Sequence, residues 1–176
     1  MSAMGTQAGV PAPASEENSD SSPVKTILVI YHSQSGHTEQ MARAVAGGAA
    51  EMEGVRAELK RACDAGLDDL LGCDGLIVGS PEYFGYMAGA VKDFFDRTYE
   101  AAHEDSRAFR KPCAFFVHAG NDGSGALASI ERICRGYKFK AVMESFVARG
   151  EITPEVLARC AEMGATMAAG CAAGIY

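Results

Sequence analysis

The stretch HSQSGHT, residues 32 to 38, sets Ser33, Ser35 and Thr38 around Gly36 and His37, between the apolar run TILVI and the Ala-rich stretch that begins at Met41. A loop entering a helix exposes backbone N–H groups without intrahelical partners, and the helix dipole adds positive potential there, so an anion is favoured. Three hydroxyls add further donors, and a glycine lets the backbone close around a tetrahedral group. The loop contains no Lys or Arg, and the pattern GxxxxGK[ST] is absent from the chain. The stretch therefore reads as a neutral cradle for one terminal phosphate, built from Ser33, Gln34, Ser35, Gly36, His37 and Thr38. The competing reading is a capping turn, since Ser and Thr are common N-caps. Three hydroxyls beside a glycine, directly after a buried strand, favour the phosphate. Two more stretches follow apolar runs in the same way, SPEYFGYMAG from Ser80 and HAGNDGSG from His118.

These loops need strands behind them and helices ahead. KTILVIY is a continuous β-branched run, the pattern of a strand covered on both faces in a parallel sheet. A helix is predicted from Thr38 to Glu53, ended by Gly54, then a more polar edge strand, VRAELKRA. DGLIVGS predicts a buried strand, and the helix after it, in MAGAVKDFFDRTYE, aligns Val91, Phe94, Phe95 and Thr98 on one face. CAFFVHAG predicts another central strand, followed by a helix carrying Leu127, Ile130 and Ile133. KAVMESFVARG reads as a strand, with a helix as the alternative. Val156, Cys160, Met163, Met167 and Cys171 then recur at helical spacing after Pro154. This alternation predicts an α/β fold, a three-layer, doubly wound, five-stranded parallel sheet over residues 25–176. Right-handed crossovers put all three loops at one end of it. Residues 1–24 are rich in Ser, Ala, Pro, Gly and acid, and read as a disordered leader.

The pattern filled by Ser33, Ser35, Gly36 and Thr38 resembles the phosphate loop of the flavodoxin-like flavoproteins, which bind FMN. GSPEYFGYMAGAVKDFFDR is similar to the isoalloxazine loop and following helix of their NAD(P)H:quinone oxidoreductase and FMN-reductase branches. The resemblance implies strand order 2-1-3-4-5 and a flavin ring lined by Pro81, Glu82, Tyr83, Phe84 and Gly85. It further implies that Ala119, Gly120, Asn121, Asp122 and Gly123 meet the pyrimidine edge, mainly through backbone amides. Tyr83 and Phe84 offer stacking area, although the same residues serve equally to plug the top of a core. The third loop lacks the aromatic residue of many electron-carrier flavodoxins, which leaves the ring open to a second reactant. The implied activity passes electrons from NAD(P)H through FMN to a quinone or other small acceptor, with no catalytic side chain required. A homo-oligomer, dimer or tetramer, is one implied arrangement. Glu82 and Asp122, if close to the ring, are expected to disfavour an anionic reduced flavin. His37 and His118 read first as structural residues.

The remaining features bound the function. At 176 residues the chain is long enough for one domain with a sizeable core. The net charge of −7, three of whose acids (Glu16, Glu17, Asp20) lie in the leader, makes nucleic acid and anionic membrane poor partners. The six cysteines show no CxxC and no metal-ligand spacing, so no metal is expected and they read as small apolar residues of a reducing, cytoplasmic setting. Two other functions stay in view. A flavodoxin-type carrier shuttling electrons between redox proteins shares the motifs. A phospho-receiver shares the architecture but needs acids where this chain has YHS and GSPE.

Overall fold

A computed structural model describes Met1 and residues 23–176; the expected leader falls almost wholly outside the described residues. Among the described residues seven strands and five helices follow one another: β1 (Lys25–Tyr31), α1 (His37–Ala50), β2 (Val55–Arg61), α2 (Leu67–Gly72), β3 (Gly75–Tyr83), β4 (Tyr86–Met87), α3 (Gly89–Glu104), β5 (Pro112–Ala119), α4 (Ser124–Gly136), β6 (Lys140–Ala141), β7 (Phe146–Arg149) and α5 (Pro154–Ala172). The sheet runs β2-β1-β3-β5-β6 with parallel pairing, and β7 also pairs parallel with β5. Counting β6 and β7 as one interrupted edge strand, this is the expected order 2-1-3-4-5.

Period-two alternation divides the core. Along β1, Leu28 and Ile30 face one layer with Leu76, Val78, Phe115 and the buried sides of α2, α3 and α4. Ile27, Val29 and Tyr31 face the other, with Ile77, Phe116, α1 and α5. Both faces are covered, which is why the strand sequence shows no polar alternation. The sheet's switch point lies between β1 and β3, because α1 packs on one face and α3 on the other.

The structure departs from the sequence reading at four places. The first helix ends at Ala50 rather than Glu53, and Gly54 takes a positive φ of 74° in the turn to β2. The short α2, whose Asp69 side chain accepts from Gly66 N at 2.9 Å, was not anticipated; six residues are too few to show a helical period. β3 continues past Pro81, because Glu82 and Tyr83 pair antiparallel with Met87 and Tyr86 in a hairpin. The last strand is broken into β6 and β7, and an interrupted edge resists pairing with a second sheet.

Helices α1 and α5 approach backbone to backbone at two glycines. A Cβ on Gly164 would lie 1.9 Å from the Val45 carbonyl oxygen, and one on Gly48 would lie 2.0 Å from that of Ala161. Neither obstacle is a side chain that can rotate away. Gly164→Ala should therefore cost about 2–3 kcal/mol of stability in urea unfolding. Gly47→Ala, with nothing within 4 Å, should instead stabilise by about 0.5 kcal/mol through helix propensity. Equal effects at the two positions would contradict this packing.

All six cysteines are free, and only Cys63 is exposed. Burial raises the thiols of Cys73 and Cys171 to about 11 and that of Cys160 to about 12. A thiol whose pKa is higher in the folded state contributes stability below its unfolded value and loses it as pH rises toward the folded one. Unfolding free energy should thus decline from about pH 8.5 upward. At neutral pH a thiol reagent should label one site in the native chain and all six after denaturation.

Candidate functional site

At the end of β1 the chain leaves the sheet through His32, whose N–H donates to Gly79 O at 3.2 Å, and enters the loop that leads to α1. Ser33 is buried and its hydroxyl accepts from Gly36 N at 3.1 Å, which closes the turn. Gly36 is the N-cap, with φ 90°, and no side chain caps α1. Gln40 N is bonded to Gly36 O at 3.0 Å as the helix begins, so the amides of His37, Thr38 and Glu39 precede the regular helical bonding. Thr38 is buried at the rim, while Gln34 and Ser35 are exposed. The capping reading thus fails on geometry: three hydroxyls surround this helix start, and none is used to cap it. Acid in the first turn comes from Glu39, whose carboxylate pairs instead with Arg43 at 2.6 Å.

The second loop is a two-residue hairpin. Phe84 (φ 52°) and Gly85 (φ 72°) both occupy the left-handed region, the signature of a type I′ turn. For Phe84 this conformation is strained, and its side chain is fully exposed, so its position is not explained by core packing. Tyr83 is half-buried and meets His32 edge to face at 6.0 Å. Ser80, fully buried, accepts from Ala88 N at 2.9 Å, and Ser129 accepts from Met87 N at 3.2 Å, which fastens the hairpin to the domain. Pro81 is buried and pairs with His118 in the sheet rather than marking the strand's exit.

The third loop is tied to the second. The Glu82 carboxylate accepts from Gly123 N at 3.1 Å and Ala126 N at 3.0 Å, acting as a cap for α4 supplied from another strand. Asp122 accepts from the amide and hydroxyl of Ser124. Both acids suspected of bordering a flavin ring are thus engaged at the start of α4. Ala119 is buried, whereas Gly120 and Asn121 are exposed. His37 stacks on His118 with ring centroids 4.6 Å apart, and His118 Nε2 lies 2.8 Å from Gly150 O, so the first and third loops also meet.

Two arginines went unnoticed in the sequence. Arg61, at the end of β2, donates to Ser33 O at 3.0 Å. Arg149, at the end of β7, donates to Asp122 O at 3.1 and 2.8 Å. Each holds a loop from a neighbouring strand. Their only sequence signal was a basic residue closing a strand at the end where the loops gather. Burial, and after it the charge of Arg61, holds the His32 imidazole below its usual range. Among the described residues no group of three or more His, Cys, Asp or Glu is placed to hold a metal, and no helix is long and apolar enough to cross a membrane.

Because a carboxylate offers two acceptor oxygens and a carboxamide only one, Glu82→Gln should leave one amide at the start of α4 unpaired. The expected cost is about 1–2 kcal/mol. Hydrogen exchange should quicken at Gly123 and Ala126 first; unchanged exchange there would mean that the tether does not form.

Comparison with known proteins places this geometry among flavoproteins. The chain is 39% identical over 119 residues to an NAD(P)H dehydrogenase (quinone) of Acidithiobacillus ferrooxidans, covering 56% of this chain and 59% of that protein. It is 44% identical over 70 residues to a flavodoxin of Aquifex aeolicus, covering 40% of this chain and 38% of the other. The chain therefore spans less than two thirds of the curated relatives it matches. An archaeal flavodoxin structure superposes with a TM-score of 0.75 at 24% identity, over 84% of this chain and 99% of that one, which shows a shared fold. The sequence model for NADPH-dependent FMN reductase matches residues 60–153, the segment holding the hairpin, the Glu82 tether and the third loop, and the chain belongs to that family.

Proposed function

We propose that the crevice holds FMN and that the chain passes electrons from NAD(P)H through it to a quinone or another small acceptor. One observation carries the reading: α1 starts at Gly36 without a side-chain cap, although Ser33, Ser35 and Thr38 stand around its leading amides. Such a donor set fits a terminal phosphate. In this reading Ser33, Gln34, Ser35, Gly36, His37 and Thr38 hold the phosphate. Pro81, Glu82, Tyr83, Phe84 and Gly85 border the ring on one side, and Ala119, Gly120, Asn121 and Gly123 on the other. Phe84 and Tyr86, both exposed, offer aromatic surface to the ring or to the incoming reactant.

FMN, when bound, supplies the redox chemistry. The protein's contribution is to hold phosphate and ring in register, and the Glu82 tether and the two loop-holding arginines serve that purpose. Family membership supports NADPH as donor, and the name of the Acidithiobacillus relative supports a quinone as acceptor. Six free cysteines, five of them buried, support a reducing, cytoplasmic setting. A homodimer or tetramer belongs to the same reading. The second reading, an electron carrier between redox proteins, is favoured by the similarity to the Aquifex flavodoxin.

The purified protein should bind FMN and show a flavin visible spectrum. Anaerobic NADPH should bleach it without a partner enzyme, and a quinone should restore the colour. Ser33→Ala or Thr38→Val should weaken FMN binding by about tenfold each. Slow bleaching that needs an added reductase would select the carrier. A folded protein that does not take up FMN would end both readings.

A further inference from the structure

We propose that Arg61 supplies the positive charge of the phosphate cradle, making the site select a flavin phosphomonoester over phosphate-free and pyrophosphate-linked flavins. The proposal rests on the reading that Ser33–Thr38 hold the phosphate.

The residue's position follows from the sheet. Tyr31 and Arg61 are paired at the last rung of the β1–β2 ladder, and Ala62 N then bonds to Tyr31 O at 2.8 Å. Beyond that rung the two strands part, and the Arg61 side chain crosses to β1's side to donate through Nη2 to Ser33 O at 3.0 Å. Ser33 is the buried residue whose hydroxyl closes the cradle on Gly36 N. A guanidinium is thus fastened to the loop's backbone, although the loop's own sequence contains no cation.

That charge is also unspent. The neighbouring basic residues are matched: Arg43 with Glu39 at 2.6 Å, Arg56 with Glu58 at 2.9 Å and Lys60 with Asp69 at 2.5 Å. Among the described residues no carboxylate lies within 4.0 Å of the Arg61 guanidinium. Its field reaches the base of the loop, where it adds to burial in disfavouring the His32 cation. In a chain of net charge −7, an unmatched guanidinium bonded to Ser33 O, in the loop that leads to the uncapped amides of α1, adds to the helix dipole. A phosphomonoester carries close to two negative charges at neutral pH on its one phosphate, whereas in a pyrophosphate-linked flavin each phosphate carries one, so a cradle that holds a single phosphate meets less charge there. The cation's effect scales with that charge and vanishes for a flavin lacking phosphate. Because the guanidinium is solvent-exposed, salt must weaken the effect.

The test titrates FMN, riboflavin and FAD into the full chain and its Arg61→Gln and Arg61→Lys variants, at low and high salt, with circular dichroism melts to confirm folding. For Arg61→Gln, FMN affinity should fall by about five- to tenfold at low salt and less at high salt, while riboflavin affinity stays within about twofold. FAD should lose less than FMN, and Arg61→Lys should restore most of the FMN affinity. Equal losses for FMN and riboflavin would reduce Arg61 to a loop brace and overturn the proposal, as would unchanged FMN affinity. If the unsubstituted chain binds riboflavin as tightly as FMN, the phosphate reading itself fails, a result separable from the other two.

Discussion

The amides at the start of α1 are the constraint on which the rest of this structure depends. A helix that begins beside a buried strand must satisfy those donors with a side chain, water or a ligand. Here the N-cap is Gly36, which has no side chain, and the adjacent hydroxyl of Ser33 is turned back to bond the loop itself. The remaining donors converge at the switch point, where α1 and α3 leave opposite faces of the sheet. The parallel order makes such a point, and the loops after β1 and β3 gather there.

Ligand loops are ordinarily the mobile part of an α/β domain, yet these three are fastened by groups that come from elsewhere in the chain. Arg61 holds the first loop, Arg149 and Glu82 the third, and Ser80 and Ser129 the hairpin between them. The His37–His118 stack links the first to the third. Loops fastened in this way need little further ordering, which is the condition that lowers the cost of binding in general. Within these three loops Phe84 is the strained position, a non-glycine residue with positive φ and an exposed ring, while Arg110 and Lys138 share that conformation elsewhere in the chain.

The acidic side chains show how position changes meaning. Glu82 stands in the loop that borders a flavin ring in the resembling proteins, and on sequence its charge reads as a modulator of potential. Its carboxylate instead accepts two amides at the start of α4, where negative charge complements a helix dipole. Asp122, one residue before Gly123, accepts the amide and hydroxyl of Ser124 and sits 3.7 Å from Arg149. Both carboxylates have protein partners, and both help to place the backbone at the start of α4.

Local pattern carried the architecture: unbroken apolar runs announced strands covered on both faces, and the three- and four-residue spacing of Val91, Phe94, Phe95 and Thr98 announced the helix that lies on them. It also carried the position of the hydroxyl–glycine loop between β1 and α1, because a strand run and a helical spacing on either side bound it. The hairpin after Pro81, the break between β6 and β7, and the roles of Arg61, Arg149 and Glu82 were beyond its reach. The roles of the three side chains each depend on a partner distant in the chain, 28 residues for Arg61 and Ser33 and 41 for Glu82 and Gly123, and periodicity holds no record of such separations. Tertiary structure alone decided them, since only the stacking of β2 beside β1 and of β5 beside β3 brings a strand-ending cation or carboxylate within hydrogen-bond reach of another strand's loop.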